Sequence, residues 1–186
     1  MQIEKSPITG LLMIVPKRHG DARGWFSEVY SRPALSAAGL DLDFVQDNHS
    51  MSGAAGTLRG LHYQRPPFAQ DKLVRCTCGV IYDVAVDVRA GSPSYGKWFG
   101  VELSAANGLQ LLIPIGFLHG FVTRSEGAEV QYKVTAPYAA DCDGAIAWDD
   151  PDLGIDWGTT APALSVKDAG APRFASFQSP FTFGAA

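Results

Sequence analysis

The chain has 186 residues and a mass of 19.9 kDa, enough for one ordinary domain, and 1–186 is read as a single unit. Its 15 basic and 19 acidic side chains give a formal charge of −4, which argues against bulk attraction to nucleic acid or to an anionic membrane. Hydrophobic residues make up 46% and charged ones only 18%, against roughly 25% charged in average chains, so disorder is excluded; the 20 glycines and 12 prolines exclude a protein of long helices.

The N-terminal MQIEKSPITG lacks a basic stretch followed by an apolar one, so no secretory signal is expected there. The first strand candidate is LLMIVPK, followed by the turn-like GDARG and a second strand, WFSEVY. SRPALSAAGL (31–40) is the one helical segment, with Ser31 placed to cap it, a proline in its first turn and Gly39 as its stop. Strands are then expected in TLRGLHYQ, DKLVRCTC and GVIYDVAVDVR. In the last of these, Val80, Tyr82, Val84, Val86 and Val88 share one face, and Ile81, Asp83, Ala85, Asp87 and Arg89 the other. KWFGVELS, GLQLLIPI, HGFVT, EVQYKVT and GAIAWDD complete the series, and Val130, Tyr132 and Val134 share a face of EVQYKVT. About ten short strands separated by turn-rich segments predict an all-β fold, an antiparallel jelly-roll sandwich or barrel. The weakly periodic 151–186 is expected to wrap its outside. The most apolar stretch, LQLLIPIGFLHGFV, is interrupted by Pro114, two glycines and His119 and cannot span a membrane. Cys76, Cys78 and Cys142 are too few for a disulfide framework and are read as reduced thiols of a cytoplasmic protein.

Two segments, 56–79 and 108–123, resemble the paired motifs of the cupin superfamily of small jelly-roll barrels. The glycine and proline spacing is kept by Gly56, Gly79, Gly108, Pro114 and Gly116. The metal ligands are not kept: the four ligand places hold His62, Gln64, Lys72 and His119. An ammonium in place of a carboxylate opposes a divalent cation, so neither metal nor cofactor is expected. A base (His62), a cation (Lys72) and a second imidazole (His119) would instead share one cavity. That set suits proton removal α to a carbonyl with stabilisation of the enolate oxygen, and Tyr132 would supply a proton from the other face. Asp83, expected to be buried, needs a partner, and His119 is the one proposed. His19 and His49 are read as chemically idle.

The resemblance narrows further. DARGWFSEVY (21–30), FVQDNHS (44–50), LRGLHYQ (58–64), DKLVRCTCGVIYDVAVDVR (71–89), IPIGFLHGF (113–121), YKVTAPY (132–138) and LSVKDAGAP (164–172) are similar to segments of the dTDP-4-dehydrorhamnose 3,5-epimerase family, in order and nearly end to end. The resemblance implies a cofactor-free homodimer that epimerises dTDP-4-dehydro-6-deoxy-D-glucose at C3 and C5, with partner N-terminal segments completing each site. It implies His62 as proton acceptor, Tyr132 as proton donor, Asp168 as the partner orienting His62, and Lys72 facing the C4 oxygen. Arg23, Glu28, Gln46, Asp47, Asn48, Arg59, His119 and Lys167 match positions that hold the sugar and diphosphate, Arg23 and Arg59 being suited to bidentate contacts. Tyr138 matches the aromatic stacked on thymine. Asp143 stands where the family usually has Glu, which puts its substrate contact in doubt. Strict alternation places Arg59 and His62 on opposite faces of one strand, so a bulge near Gly60 is expected. A single-site epimerase, a metal-dependent cupin and a non-catalytic nucleotide-sugar binder are the competing readings.

Overall fold

Two antiparallel sheets face one another across the core of the chain, which is described here over residues 1–184 in a computed structural model. In chain order the strands are β1 (Gln2–Lys5), β2 (Leu12–Val15), β3 (Arg18–Asp21), β4 (Gly24–Ser27), β5 (Gln46–Ser52), β6 (Leu58–Gln64) and β7 (Lys72–Cys78). They continue with β8 (Val80–Asp87), β9 (Trp98–Ser104), β10 (Gln110–Ile113), β11 (Phe117–Thr123), β12 (Ala128–Val134) and β13 (Asp143–Ala145). Two short helices, α1 (Arg32–Ala37) and α2 (Val166–Ala169), join them. One sheet runs β1-β2-β10-β7-β12-β5 and the other β13-β6-β11-β8-β9, while β3 and β4 form a separate hairpin. This is an all-β, cupin-type jelly-roll sandwich.

Period-two patterning decides what each face buries. Val74, Cys76, Leu111, Ile113 and Val130 of the six-stranded sheet meet Ile81, Ala85, Leu103, Phe117 and Phe121 of the other between the layers. The alternate residues Val84, Val86, Val88, Leu118 and Val122 form the outer face of the five-stranded sheet. The C-terminal stretch covers it with Leu153, Trp157 and Phe181, as the sequence leads one to expect. Trp157 is buried and its indole N–H donates to the Trp148 carbonyl at 2.8 Å, so the wrap adds apolar area without leaving a polar atom unpaired. On the opposite side, Leu35 of α1 packs on Ile14, Leu73 and Leu112.

Several local expectations are corrected. GDARG is not only a turn, because Arg18–Asp21 and Gly24–Ser27 pair as the hairpin β3–β4. WFSEVY is strand only as far as Ser27, and GAIAWDD contributes only β13 at its start. The polar 46–52, which has no apolar alternation to mark it, is also a strand, paired with β12 from Gln46↔Val134 to Ser52↔Ala128. Ser31 occupies the cap position of α1 but makes no side-chain capping hydrogen bond.

Candidate active site

The site begins with an irregularity in β6. His62 pairs with His119 of β11 and Arg59 with Phe121, so Gly60 and Leu61 stand together opposite Gly120. This extra residue is the bulge that alternation requires. Leu58 and Leu61 turn outward to the C-terminal wrap, while Arg59 and His62 both line the space between the sheets. Only glycine fits at the crossing: Gly60 has φ +127°, and a Cβ on Gly120 would lie 2.9 Å from the Arg59 carbonyl oxygen.

The resulting cavity, about 440 Å³, is bounded by Arg59, His62, Lys72, His119, Phe121 and Tyr132. A second chamber of about 260 Å³ shares His62, Lys72 and Tyr132 and extends past Gln46, Asn48, Tyr138, Asp143 and Lys167. His62 and His119 project from the five-stranded sheet; Lys72 and Tyr132 project from the six-stranded sheet, in step with the inward Val74 and Val130. The imidazole and the phenol therefore stand on opposite walls.

The hydrogen bonds orient individual atoms. With His62 neutral, its Nε2–H donates to Asp168 Oδ1 at 2.5 Å, leaving the Nδ1 lone pair free. Asp168 is buried on α2, whose cap is made by the Ser165 hydroxyl accepting from the Asp168 backbone N–H at 3.1 Å. Burial is the main influence lowering the pKa of His62, partly opposed by Asp168 and reinforced by Lys167 and Lys72, which favours the neutral ring. Enclosure in the site also lowers Lys72, to about 8, against the attraction of Asp143 and Asp83, although part of its side chain opens to the cavity. Tyr132 is raised by burial and drawn back by Arg59. His119, also buried, bonds through Nε2 to Asp83 Oδ1 at 2.8 Å, so the expected Asp83–His119 pair is present.

The remaining named residues divide into two groups. Gln46 joins the second chamber together: its amide donates to Asn48 Oδ1 at 2.8 Å, and its oxygen accepts from the Tyr138 backbone N–H at 3.2 Å. Asp143 is ion-paired with Lys167 and accepts from the Tyr138 hydroxyl at 3.4 Å, so the shorter acid still belongs to this chamber. Three residues lie elsewhere. Asp47 points to the outer side of its sheet and pairs with Lys133 at 2.8 Å. Arg23 is 90% exposed on the β3–β4 hairpin, paired with Asp21 at 2.5 Å, and Glu28 is exposed just beyond it; neither lines the cavity of its own chain. Phe121 and Ser50 also line the cavity and were not singled out from sequence. Their signal was available, since Phe121 is two residues from His119 and Ser50 two from Asn48 on the same faces.

The positions that hold metal in other cupins do not suit a cation here. Gln64 is committed to the Phe68 and Pro137 carbonyls and to the Ala139 N–H, both imidazole Nε2 atoms face carboxylates, and Lys72 brings an ammonium. What the arrangement can do is acid–base chemistry on a substrate held between a base and a phenol, with a cation beside both.

The sequence profile of the family described as dTDP-4-dehydrorhamnose 3,5-epimerase matches residues 5–176. The chain belongs to this family. It is 48% identical over 184 residues to the dTDP-4-dehydrorhamnose 3,5-epimerase of Sinorhizobium fredii, covering 98% of this chain and 94% of that one. It is 50% identical over 174 residues to the Salmonella typhimurium enzyme of the same name, covering 92% and 94%. A 3,5-epimerase from Legionella pneumophila, crystallised in complex with dTDP-4-keto-L-rhamnose, superposes with a TM-score of 0.93 at 41% identity and covers 100% of this chain and 99% of its own. Like the epimerases it resembles, the chain is an isomerase. Among the described residues no helix is long and apolar enough to cross a membrane.

Proposed function

We propose that the chain converts dTDP-4-dehydro-6-deoxy-D-glucose to dTDP-4-dehydro-L-rhamnose by inverting C3 and C5, a step of dTDP-L-rhamnose biosynthesis. One observation carries the reading: His62 and Tyr132 face a single cavity from opposite sheets, with Lys72 on the same cavity wall as Tyr132. Both inverted carbons flank the C4 ketone, so one base and one cation serve both. His62 Nδ1 takes the proton from carbon, and the C–H electron pair moves into the C4–O system as an enolate. Lys72 donates a hydrogen bond to the C4 oxygen as its charge develops. Tyr132 gives its phenolic proton to the opposite face of the carbon, and the resulting phenolate is reprotonated from solvent as His62 releases its proton to solvent. Asp168 holds the imidazole tautomer and balances the imidazolium.

The second chamber suits the nucleotide, with Lys167 for the diphosphate and the exposed ring of Tyr138 for thymine. Arg23 and Glu28 act, in this reading, in a partner's site within a homodimer. Support comes from the β3–β4 hairpin, which presents Trp25 at 59% and Phe26 at 71% exposure beside the exposed Arg23–Asp21 pair. Neither metal nor cofactor takes part, given the donor set above. A cytoplasmic setting fits a nucleotide-sugar substrate and three free cysteines.

The test is turnover of the ketosugar in deuterated water, read by NMR. Deuterium at both C3 and C5 is expected, undiminished by chelator. Label at one carbon only would make the chain a single-site epimerase, and no label would leave it a binding protein. Sedimentation should show a dimer.

A further inference from the structure

Asp83 sits behind the site, and the assignments above give it no part beyond its bond to His119. It projects from β8 into the core between the sheets, in step with Ile81 and Ala85, and is fully buried. Its Oδ1 accepts from His119, but its Oδ2 has no hydrogen-bond donor. A buried carboxylate with an unpaired oxygen is costly, and in a site that must present a cation it has an evident use. Lys72 has the complementary deficit. Among the described residues its ammonium makes no ion pair, and the charges that act on it come from Asp143, Asp83 and Lys167.

These three do not weigh equally. Asp143 and Lys167 are ion-paired with each other at the rim, and their effects on Lys72 oppose. Of the other groups on the cavity, Asp168 is engaged by His62. Arg59 is directed to the Ser52 hydroxyl and the Met51 carbonyl. His119 is held by Asp83 itself, and Tyr132 is a neutral phenol. Asp143 is the stronger attraction on Lys72 but is tied to Lys167, whereas Asp83 is the buried carboxylate beside the cavity whose Oδ2 meets no donor.

We propose that Asp83 is a positioning residue of this site: through its unpaired charge it keeps Lys72 an ammonium, with His119 fixing the carboxylate in place. The inference rests on the epimerase reading for why a cation is wanted, but the pairing itself is a property of the protein alone. It divides the two His–Asp pairs by function. Asp168 serves the base, whereas Asp83 serves the cation through space.

The experiment compares the intact protein with Asp83→Asn, which keeps an oxygen for His119 and removes the charge. The chain has only six lysines, so 13C-methylated lysine signals can be assigned, with Lys72→Arg identifying the Lys72 signal. In the parent, Lys72 should titrate near 8. In Asp83→Asn it should titrate on the order of one pH unit lower, a tenfold change in its protonation equilibrium. The alkaline limb of kcat should move down with it, so the variant loses activity mainly above pH 7 and recovers toward pH 6.5. An unmoved Lys72 titration, or a loss of kcat equal at every pH, overturns the proposal. If Lys72 moves while neither protein turns over the ketosugar, the pairing stands and the epimerase reading fails. Should Asp83→Asn not fold, Asp83→Ser, which leaves room for water beside His119, replaces it.

Discussion

Replacing Asp168 by Asn tests the site at its most constrained contact. The His62–Asp168 bond is 2.5 Å long, and the carboxylate is 3% exposed. An amide oxygen still accepts from Nε2–H, so the neutral ring keeps its tautomer. The charge that stabilises the imidazolium is lost. A hydrogen bond to a charged group is worth about 1.5–3 kcal/mol, and the upper part of that range applies to a buried carboxylate facing a cation formed only during reaction. At about 1.4 kcal/mol per factor of ten, a loss of about 2–3 kcal/mol lowers kcat by roughly 30- to 150-fold. The fold should survive, because the α2 cap uses the backbone N–H of residue 168. The sign of the pH effect is fixed as well. Asp168 raises the His62 pKa against the lowering by burial, so its neutralisation moves the acid limb of kcat/KM to still lower pH. The assay is deuterium incorporation into substrate at C5 between pH 5 and 8. Activity within twofold of the parent at pH 7, or a loss with the acid limb unmoved, would refute the assignment of Asp168 to His62.

Tyr132→Phe keeps the ring and removes the proton donor, so inverted product should fall at least 100-fold while exchange with retention continues, as judged by separate NMR signals for the epimers. Gly120→Ala places a methyl 2.9 Å from the Arg59 carbonyl, and loss of the bulge register should reduce kcat more than tenfold, with a stability cost of about 1–3 kcal/mol by denaturant titration. Trp157→Ala opens a cavity under the C-terminal wrap; it should cost about 3–5 kcal/mol and lower Tm by on the order of 10 °C in calorimetry.

How much of this was legible in the sequence depends on the range of the physics involved. Alternation in 79–89 and 129–135 correctly separated the inward residues Ile81, Asp83, Ala85 and Tyr132 from their neighbours, because a pleated strand between two layers enforces period two. The failure of alternation at Arg59 and His62 was itself informative, since only an inserted residue could reconcile their shared cavity. Strand β5 escaped because QDNHSMS carries no apolar alternation: its inward residues line a polar site, so the usual signal of a buried face is absent where function replaces it. The motif groups Asp47 with Gln46 and Asn48, yet a strand cannot turn three consecutive side chains to one face, and Asp47 pairs outward with Lys133. The positions of Arg23 and Glu28 depend on where a hairpin docks, which no local pattern encodes.

The C-terminal wrap joins stability to chemistry. Ala163 is tied to the start of β6 by two backbone hydrogen bonds, its carbonyl accepting from Leu58 N–H and its N–H donating to Gly56, and Asp168 follows five residues later. Upstream, the same segment is anchored by Trp157 among Val84, Val86 and Val122. Asp168 thus reaches His62 because apolar burial on the outer face of the sheet fixes the chain that carries it over the edge. The sheet supplies the base from one side, and its own covering segment supplies the base's partner. Loss of packing under Trp157 should therefore loosen the segment that holds Asp168 against His62, whereas α1 packs on Leu73 and Leu112 of the opposite sheet, away from that segment.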